Sequence, residues 1–255
     1  QESEVPVTTV SVFSHREADW AVRRINFDRA IPAVTFDLVT PLGDERLIRM
    51  PMLGEVNVQN AVVALVAALQ LGCEFEAAVS ALEGAEQIPG RMTSVNPDPG
   101  AQPLVIVDFA HTPEGLDWTL KSVRELTRGK LVLVFGTDGD RDATKREPLA
   151  EIAAQLADVL WVTDENPRTE DASSIRQQLL NGIRRVRPDF HDVTEVTTCR
   201  RDAVRQAILA ADEGDIIVIS GKGAEWYQDI QGIKHVYNDV PVAREVLEQD
   251  IRARL

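Results

Sequence analysis

Four short polar motifs hold most of the residues in this chain that could do chemistry. They are Asp108-Phe109-Ala110-His111-Thr112-Pro113, Gly136-Thr137-Asp138-Gly139-Asp140-Arg141-Asp142, Asp164-Glu165-Asn166-Pro167-Arg168 and Gly221-Lys222-Gly223-Ala224-Glu225. Arg141 and Arg168 are guanidinium forks, suited to a carboxylate or a phosphate. Pro167 stiffens the turn that presents Asn166 and Arg168. Glu225 can take an ammonium, and Asp108 can hold a ribose hydroxyl. Gly221 and Gly223 let backbone approach a ligand closely. Plainer readings stand beside these. Residues 140–142 make a solvated charged turn and 166–168 an ordinary loop. Residues 111–113 make a helix start, with Thr112 as N-cap and Pro113 in the first turn. An EF-hand is excluded, because Ala143 replaces the turn glycine and Leu149 the bidentate glutamate. A Walker A loop at 220–223 is excluded too: no glycine stands five residues before Gly221, and no Ser or Thr follows Lys222.

Each motif directly follows an apolar run, at 104–107, 131–135, 159–162 and 216–220. Near-continuous apolar runs fit strands buried on both faces. The pattern predicts strands at 104–109, 131–136, 159–163, 192–197, 215–220 and 234–238. Helical spacing predicts helices at 113–127, 145–157, 173–186, 200–213 and 240–253. Strand–helix alternation implies right-handed crossovers and a doubly wound, mostly parallel α/β sheet. Ligands bind such sheets at the carboxyl ends of their strands, so the four motifs define one edge.

The first third reads differently. Residues 33–41 alternate apolar and polar, turn at Pro41-Leu42-Gly43-Asp44, and return as a strand over 46–52, which predicts a hairpin. Val58, Ala61, Val62, Leu65, Ala68 and Leu69 recur at helical spacing, with Gly72 as the stop. A second helix begins at 77–82 and ends near Gly84. Asn57 reads as an N-cap. Asn60, one turn further in, has no such explanation. Pro89-Gly90 and the turn-rich 96–100 break the pattern, and place a boundary between a domain of 1–88 and one of 89–255.

With 255 residues, 44% hydrophobic and 27% charged, the chain has a globular composition. Its net charge of −14 argues against nucleic-acid and anionic-membrane partners. Two cysteines without CxxC or a Cys/His cluster argue against a disulfide framework and a zinc site, and fit a reducing cytoplasm. No apolar run approaches the ~20 residues of a membrane span. The sequence starts at Gln1, and a fragment or a processed product is expected.

Taken together the motifs resemble the Mur ligases of peptidoglycan synthesis, in particular the tripeptide synthetases that add a diamino acid. That family spells its motifs N-x-x-N, G-R-M, D-Y-A-H-T-P, G-G-D-R-D-x-x-K-R, D-N-P-R and G-K-G-H-E-x-Y-Q. The matching strings are Asn57/Asn60, Gly90-Arg91-Met92, 108–113, 139–142 with Lys145-Arg146, 166–168 and 221–228, in order from about residue 33 to the end. The resemblance implies a Rossmann-like C-terminal domain preceded by the end of an ATP-binding domain. It implies ATP-dependent amide formation, with ATP and Mg²⁺ held mainly by segments outside this chain. The substrates implied are UDP-N-acetylmuramoyl-L-alanyl-D-glutamate and a diamino acid. Asn57, Asn60, Arg91 and Asp108 correspond to nucleotide contacts. Arg141, Glu165, Asn166, Pro167, Arg168, Gly221 and Glu225 correspond to the diamino-acid pocket. No catalytic residue and no metal ligand is assigned.

Departures from the pattern are Glu165 for Asp, Ala224 for His, a less glycine-rich entry at 136–139, and Glu147 as an inserted residue. Arg168 favours meso-diaminopimelate, whose second carboxylate needs a cation; L-lysine or ornithine is the competitor. A folylpolyglutamate- or cyanophycin-type amide ligase and a non-catalytic amino-acid-binding module are the other readings. Lacking a Walker A sequence, the chain is expected not to turn over alone.

Overall fold

The computed structural model describes residues 6–12, 18–28, 33–96 and 103–254. The chain forms two compact units, 1–87 and 88–255. The turn expected over 96–100 lies, from residue 97 on, outside the described residues.

The first unit holds strands β1 (Val10–Ser11), β2 (Trp20–Asp28), β3 (Ala33–Val39) and β4 (Glu45–Met50), in that order in one sheet. β3 and β4 form the expected antiparallel hairpin. Alternation explains which face it buries: Val34, Phe36, Leu38, Ile48 and Met50 are fully buried. Helix α1 (Glu55–Gln70) lays Val58, Val62 and Leu65 into the same core, and α2 (Phe75–Glu83) adds Val79. The N-cap expected at Asn57 is instead Gly54, with φ 91°. Asn57 lies inside the first turn, and its Nδ2 donates back to the Leu53 carbonyl at 2.7 Å.

The second unit is a doubly wound α/β layer structure. Its strands are β5 (Thr93–Ser94), β6 (Leu104–Asp108), β7 (Leu131–Phe135), β8 (Val159–Val162), β9 (Val193–Glu195) and β10 (Ile216–Ser220). They lie in the order β5-β6-β10-β7-β8-β9, all parallel except β5. Helices α3 (Pro113–Arg124), α4 (Arg146–Leu156) and α5 (Ala172–Val186) pack side by side. Helices α6 (Arg200–Ala210) and α7 (Asp239–Arg254) pair with each other and close the core over Val105, Val107, Val132, Val134, Ile217 and Ile219.

The expected sheet strand at 234–238 is corrected. A separate antiparallel hairpin forms from β11 (Tyr227–Ile230) and β12 (Ile233–Val236), and β12 is exposed throughout. The β-branched Ile233 and Val236 support a strand but cannot say which strand pairs with it. Thr112 does cap α3, accepting from the Gly115 N–H at 3.1 Å, with Pro113 in the first turn.

Candidate functional site

Strand order decides which loops meet. β10 inserts between β6 and β7, so the edge presents its loops as 108–113, 220–225, 136–142 and 163–168. The loop latest in sequence thus sits second in space. Gly221, at φ 111°, donates its N–H to the Asp108 carbonyl at 3.2 Å. A Cβ at 221 would lie 2.6 Å from Glu165 Oε2, so only glycine lets these loops close on each other. Gly139 is similarly confined: a Cβ there would lie 2.0 Å from the Pro167 carbonyl oxygen.

At the centre of the edge Asn166 is buried and fully used. Its Oδ1 accepts from Lys222 Nζ at 2.9 Å and from the Asp229 N–H at 3.1 Å. Its Nδ2 donates to Asp138 Oδ1 at 2.9 Å and to Glu225 Oε2 at 3.1 Å. An amide has two donors and two lone pairs, so none is left for a ligand. Lys222 is also buried, and reaches Glu225 Oε2 at 2.9 Å. Arg168 donates to Asp138 Oδ2 at 3.2 Å, and its backbone, at φ 52°, is bonded to the Asp229 carbonyl and the Gln231 N–H. Burial would lower the Arg168 pKa, but the carboxylates of Asp138 and Asp229 raise it above the usual arginine value. Around the saturated asparagine the partly exposed groups are one cation, Arg168, and two carboxylates, Asp138 and Glu225. Such an array suits a zwitterion.

Glu165 lies beneath this ring. Its Oε2 is buried without a hydrogen-bond partner among the described residues. Burial, and then the charge of Asp138, push its pKa from 4.5 up to about 8, against the pull of Arg200, Lys222 and Lys145. The native state therefore holds a proton that the unfolded chain releases above pH 4.5. The stability contributed by this site falls as pH rises from about 4.5 and stops falling near 8. Replacing Glu165 by Gln should flatten that fall. Denaturant titrations across this pH range should show the variant gaining on wild type, by up to a few kcal/mol at pH 8. Parallel stability curves would disprove the assignment.

Four cations brace the four loops, and three of them share a sequence signature. In α4 the buried stripe is Arg146, Leu149, Ala150, Ala153, Ala154; in α6 it is Arg200, Ala203, Val204, Ala207, Ile208; in α5 Arg176 sits beside Ile175, Leu179 and Ile183. An arginine near the start of an apolar i, i+3, i+4 stripe marks a buried charge at the carboxyl edge of the sheet. Arg146 holds the Asp138 carbonyl at 3.0 Å and both oxygens of Glu170. Arg176 holds Asp164 at 2.5 Å and Glu195 at 2.8 Å. Arg200 holds the Ser220 carbonyl at 2.8 Å and both oxygens of Asp239. Lys145 completes the set on the His111 carbonyl at 2.9 Å.

The other expected residues divide. Asp108 turns inward and accepts from Met92 N–H, Ala110 N–H and the Thr119 hydroxyl. Arg91 lies 4.2 Å over the Phe109 ring, and His111 meets that ring edge-on. Arg141 is exposed, with no side-chain partner among the described residues, and Asn60 is exposed. The described residues contain no cluster of three or more metal-ligating side chains and no helix long and apolar enough to cross a membrane.

The doubly wound, mostly parallel sheet with charged loops at its carboxyl edge defines the class as an α/β domain whose strand ends form the candidate ligand edge. Residues 90–223 match the family model described as Mur ligase, glutamate ligase domain, and the chain belongs to the Mur ligase family. A UDP-N-acetylmuramyl-tripeptide synthetase of Leifsonia xyli subsp. xyli is 38% identical over 98% of this chain and 48% of its own length. A UDP-N-acetylmuramoyl-L-alanyl-D-glutamate–2,6-diaminopimelate ligase of Thermosynechococcus vestitus is 38% identical over 94% of this chain and 47% of its own. The chain spans about half the length of the curated relatives it matches. A solved 2,6-diaminopimelate ligase superposes with a TM-score of 0.65 at 33% identity, over 95% of this chain and 48% of that one. UDP-N-acetylmuramate-alanine ligase MurC of Thermotoga maritima shares the fold, with a TM-score of 0.68 at 18% identity over 96% of this chain and 48% of that one.

Proposed function

We propose that this chain is the amino-acid-binding part of an ATP-dependent ligase that joins a diamino acid to UDP-N-acetylmuramoyl-L-alanyl-D-glutamate in the cytoplasm. Residues 89–255 would hold the diamino acid, and 1–88 would be the end of the ATP-binding domain. The observation that carries the reading is the grouping of the Arg168 cation with the carboxylates of Asp138 and Glu225 around a buried, saturated Asn166. Cation and anion at hydrogen-bonding range from one framework are what a zwitterion needs. The names of the relatives support the substrates.

The chemistry is amide formation in two steps. The side-chain carboxylate of the D-glutamate takes a phosphoryl group from the nucleotide. The diamino acid's amine then attacks that acyl phosphate, forming the C–N bond as phosphate leaves and the amine loses a proton. The residues here would bind and orient the amine. Arg91 stacked on Phe109 offers a flat cationic face that fits a nucleoside, and Asp108 keeps one lone pair on Oδ1 for a hydroxyl. Asn57 and Asn60 are proposed as further nucleotide contacts, although the Asn57 amide is already bonded to Leu53. Magnesium would be held mainly by segments outside this chain.

The relatives' names and Arg168 favour meso-diaminopimelate. The Asp138–Arg168 pair favours a second reading, L-lysine or ornithine, because it already occupies the cation. The test is ADP release by the full-length gene product carrying this sequence, given ATP, Mg²⁺, the UDP-dipeptide and each diamino acid in turn. Release dependent on both the dipeptide and a diamino acid is expected. Release with L-glutamate and a folate instead, or none with any acceptor, would overturn the reading. The 255 residues alone are expected to release no ADP, since they contain no Walker A sequence.

A further inference from the structure

We propose that Asp138 is a specificity-determining residue: it competes with a substrate's distal carboxylate for Arg168, and so biases the pocket toward diamino acids with one carboxylate. The inference rests on the ligase reading above and names what sets its substrate class.

Asp138 is held at both ends. Its carbonyl accepts from the buried Arg146 at 3.0 Å, and its Oδ1 accepts from Asn166 Nδ2 at 2.9 Å. Asn166 cannot turn away, since its Oδ1 is pinned by two donors, Lys222 Nζ and the Asp229 N–H. Oδ2 is thereby aimed at Arg168 NH2 at 3.2 Å. Both partners are largely but not fully covered, with side chains 23% and 19% exposed, so a ligand can reach the pair. Arg168 Nε is buried without a partner among the described residues, so the fork is only partly used. A distal carboxylate must displace or share with Asp138 to reach it, and pays like-charge repulsion on arrival. A distal ammonium meets Asp138 and Glu225 without that penalty. Preorganised competition of this kind discriminates by rejecting one ligand more than by attracting the other.

The test uses the full-length gene product and the ratio of kcat/KM for meso-diaminopimelate to that for L-lysine. Asp138→Asn keeps the shape and the Asn166 bond but removes the charge. It should raise the ratio about ten-fold or more, the value of one charge-assisted hydrogen bond. Asp138→Glu should leave the ratio near wild type. In an Arg168→Ala background Asp138→Asn should no longer move it. Asp138→Ser provides a second neutral variant should the first fold poorly. An unchanged ratio, or an equal loss for both substrates, would overturn the proposal and mark Asp138 as structural. A wild-type protein that uses no diamino acid would overturn the ligase reading itself, and the inference with it.

Discussion

Replacing Arg200 by methionine is expected to lower the unfolding free energy of the second unit by about 3–5 kcal/mol, the usual cost of breaking a buried ion pair. Arg200 and Asp239 are both fully buried. The guanidinium meets both carboxylate oxygens at 2.9 Å, and the Tyr237 hydroxyl donates to the same carboxylate at 2.8 Å. Burial alone would depress the Arg200 pKa, but Asp239's charge and hydrogen bonds hold it above the usual arginine value. Methionine leaves Asp239 charged in an apolar site and frees the Ser220 carbonyl. The loss should appear as a lower denaturation midpoint at constant slope. The double change Arg200→Met with Asp239→Leu should recover most of it, because removing both charges removes the desolvation penalty. A single variant within 0.5 kcal/mol of wild type would refute the role. Because Arg200 also tethers Ser220, its loss should loosen the loop that carries Lys222.

The second large effect is expected at Lys222. Its ammonium is buried, bonded to Asn166 and Glu225, and lies 5.9 Å over the Tyr227 ring. Lys222→Met keeps length and burial but removes the charge that orients both partners. Asn166 then loses one of the two donors that fix its amide, and Glu225 loses its counter-ion. A cost on the order of 2–4 kcal/mol in stability follows from leaving charged and polar groups unmatched. Diamino-acid binding, read by calorimetry on the full-length gene product, should weaken by at least about ten-fold, since the ring would no longer hold one geometry. Lys222→Arg should not rescue, because the guanidinium's planar fork cannot replace a point charge in a filled site. Unchanged binding would show that Lys222 stabilises the loop without organising the edge.

Much of this architecture was legible in the chain because its causes are local. The apolar runs at 104–107, 131–135 and 216–220 read as strands because they are buried on both faces. The Thr112-Pro113 cap read correctly because capping acts within one turn. Local pattern failed where the outcome depends on a distant partner. The 234–238 segment has strand-forming residues in Val236 and Tyr237, yet the strand that forms there pairs with Tyr227–Ile230 and not with the main sheet. Asn57 has N-cap chemistry, but the left-handed Gly54 three residues earlier starts the helix first. The three buried arginines were readable in principle, each at the head of an apolar helical stripe, but an arginine in a charged sequence draws no notice until the stripe is traced.

By itself the sequence determined that the second unit is a parallel α/β domain with a charged loop after each of four strands, and the order of the motifs marks the family. Only the tertiary structure decided what each residue in those loops does. Insertion of β10 between β6 and β7 puts Lys222 beside Asn166, 56 residues away in sequence. That contact uses up the asparagine, leaves Glu165 beneath the ring, and turns Asp138 onto Arg168. Strand order is a non-local packing outcome, set by which buried faces and helices fit together. The four loops carry the charged and polar groups, but the sheet decides which of them are spent on each other and which stay partly exposed.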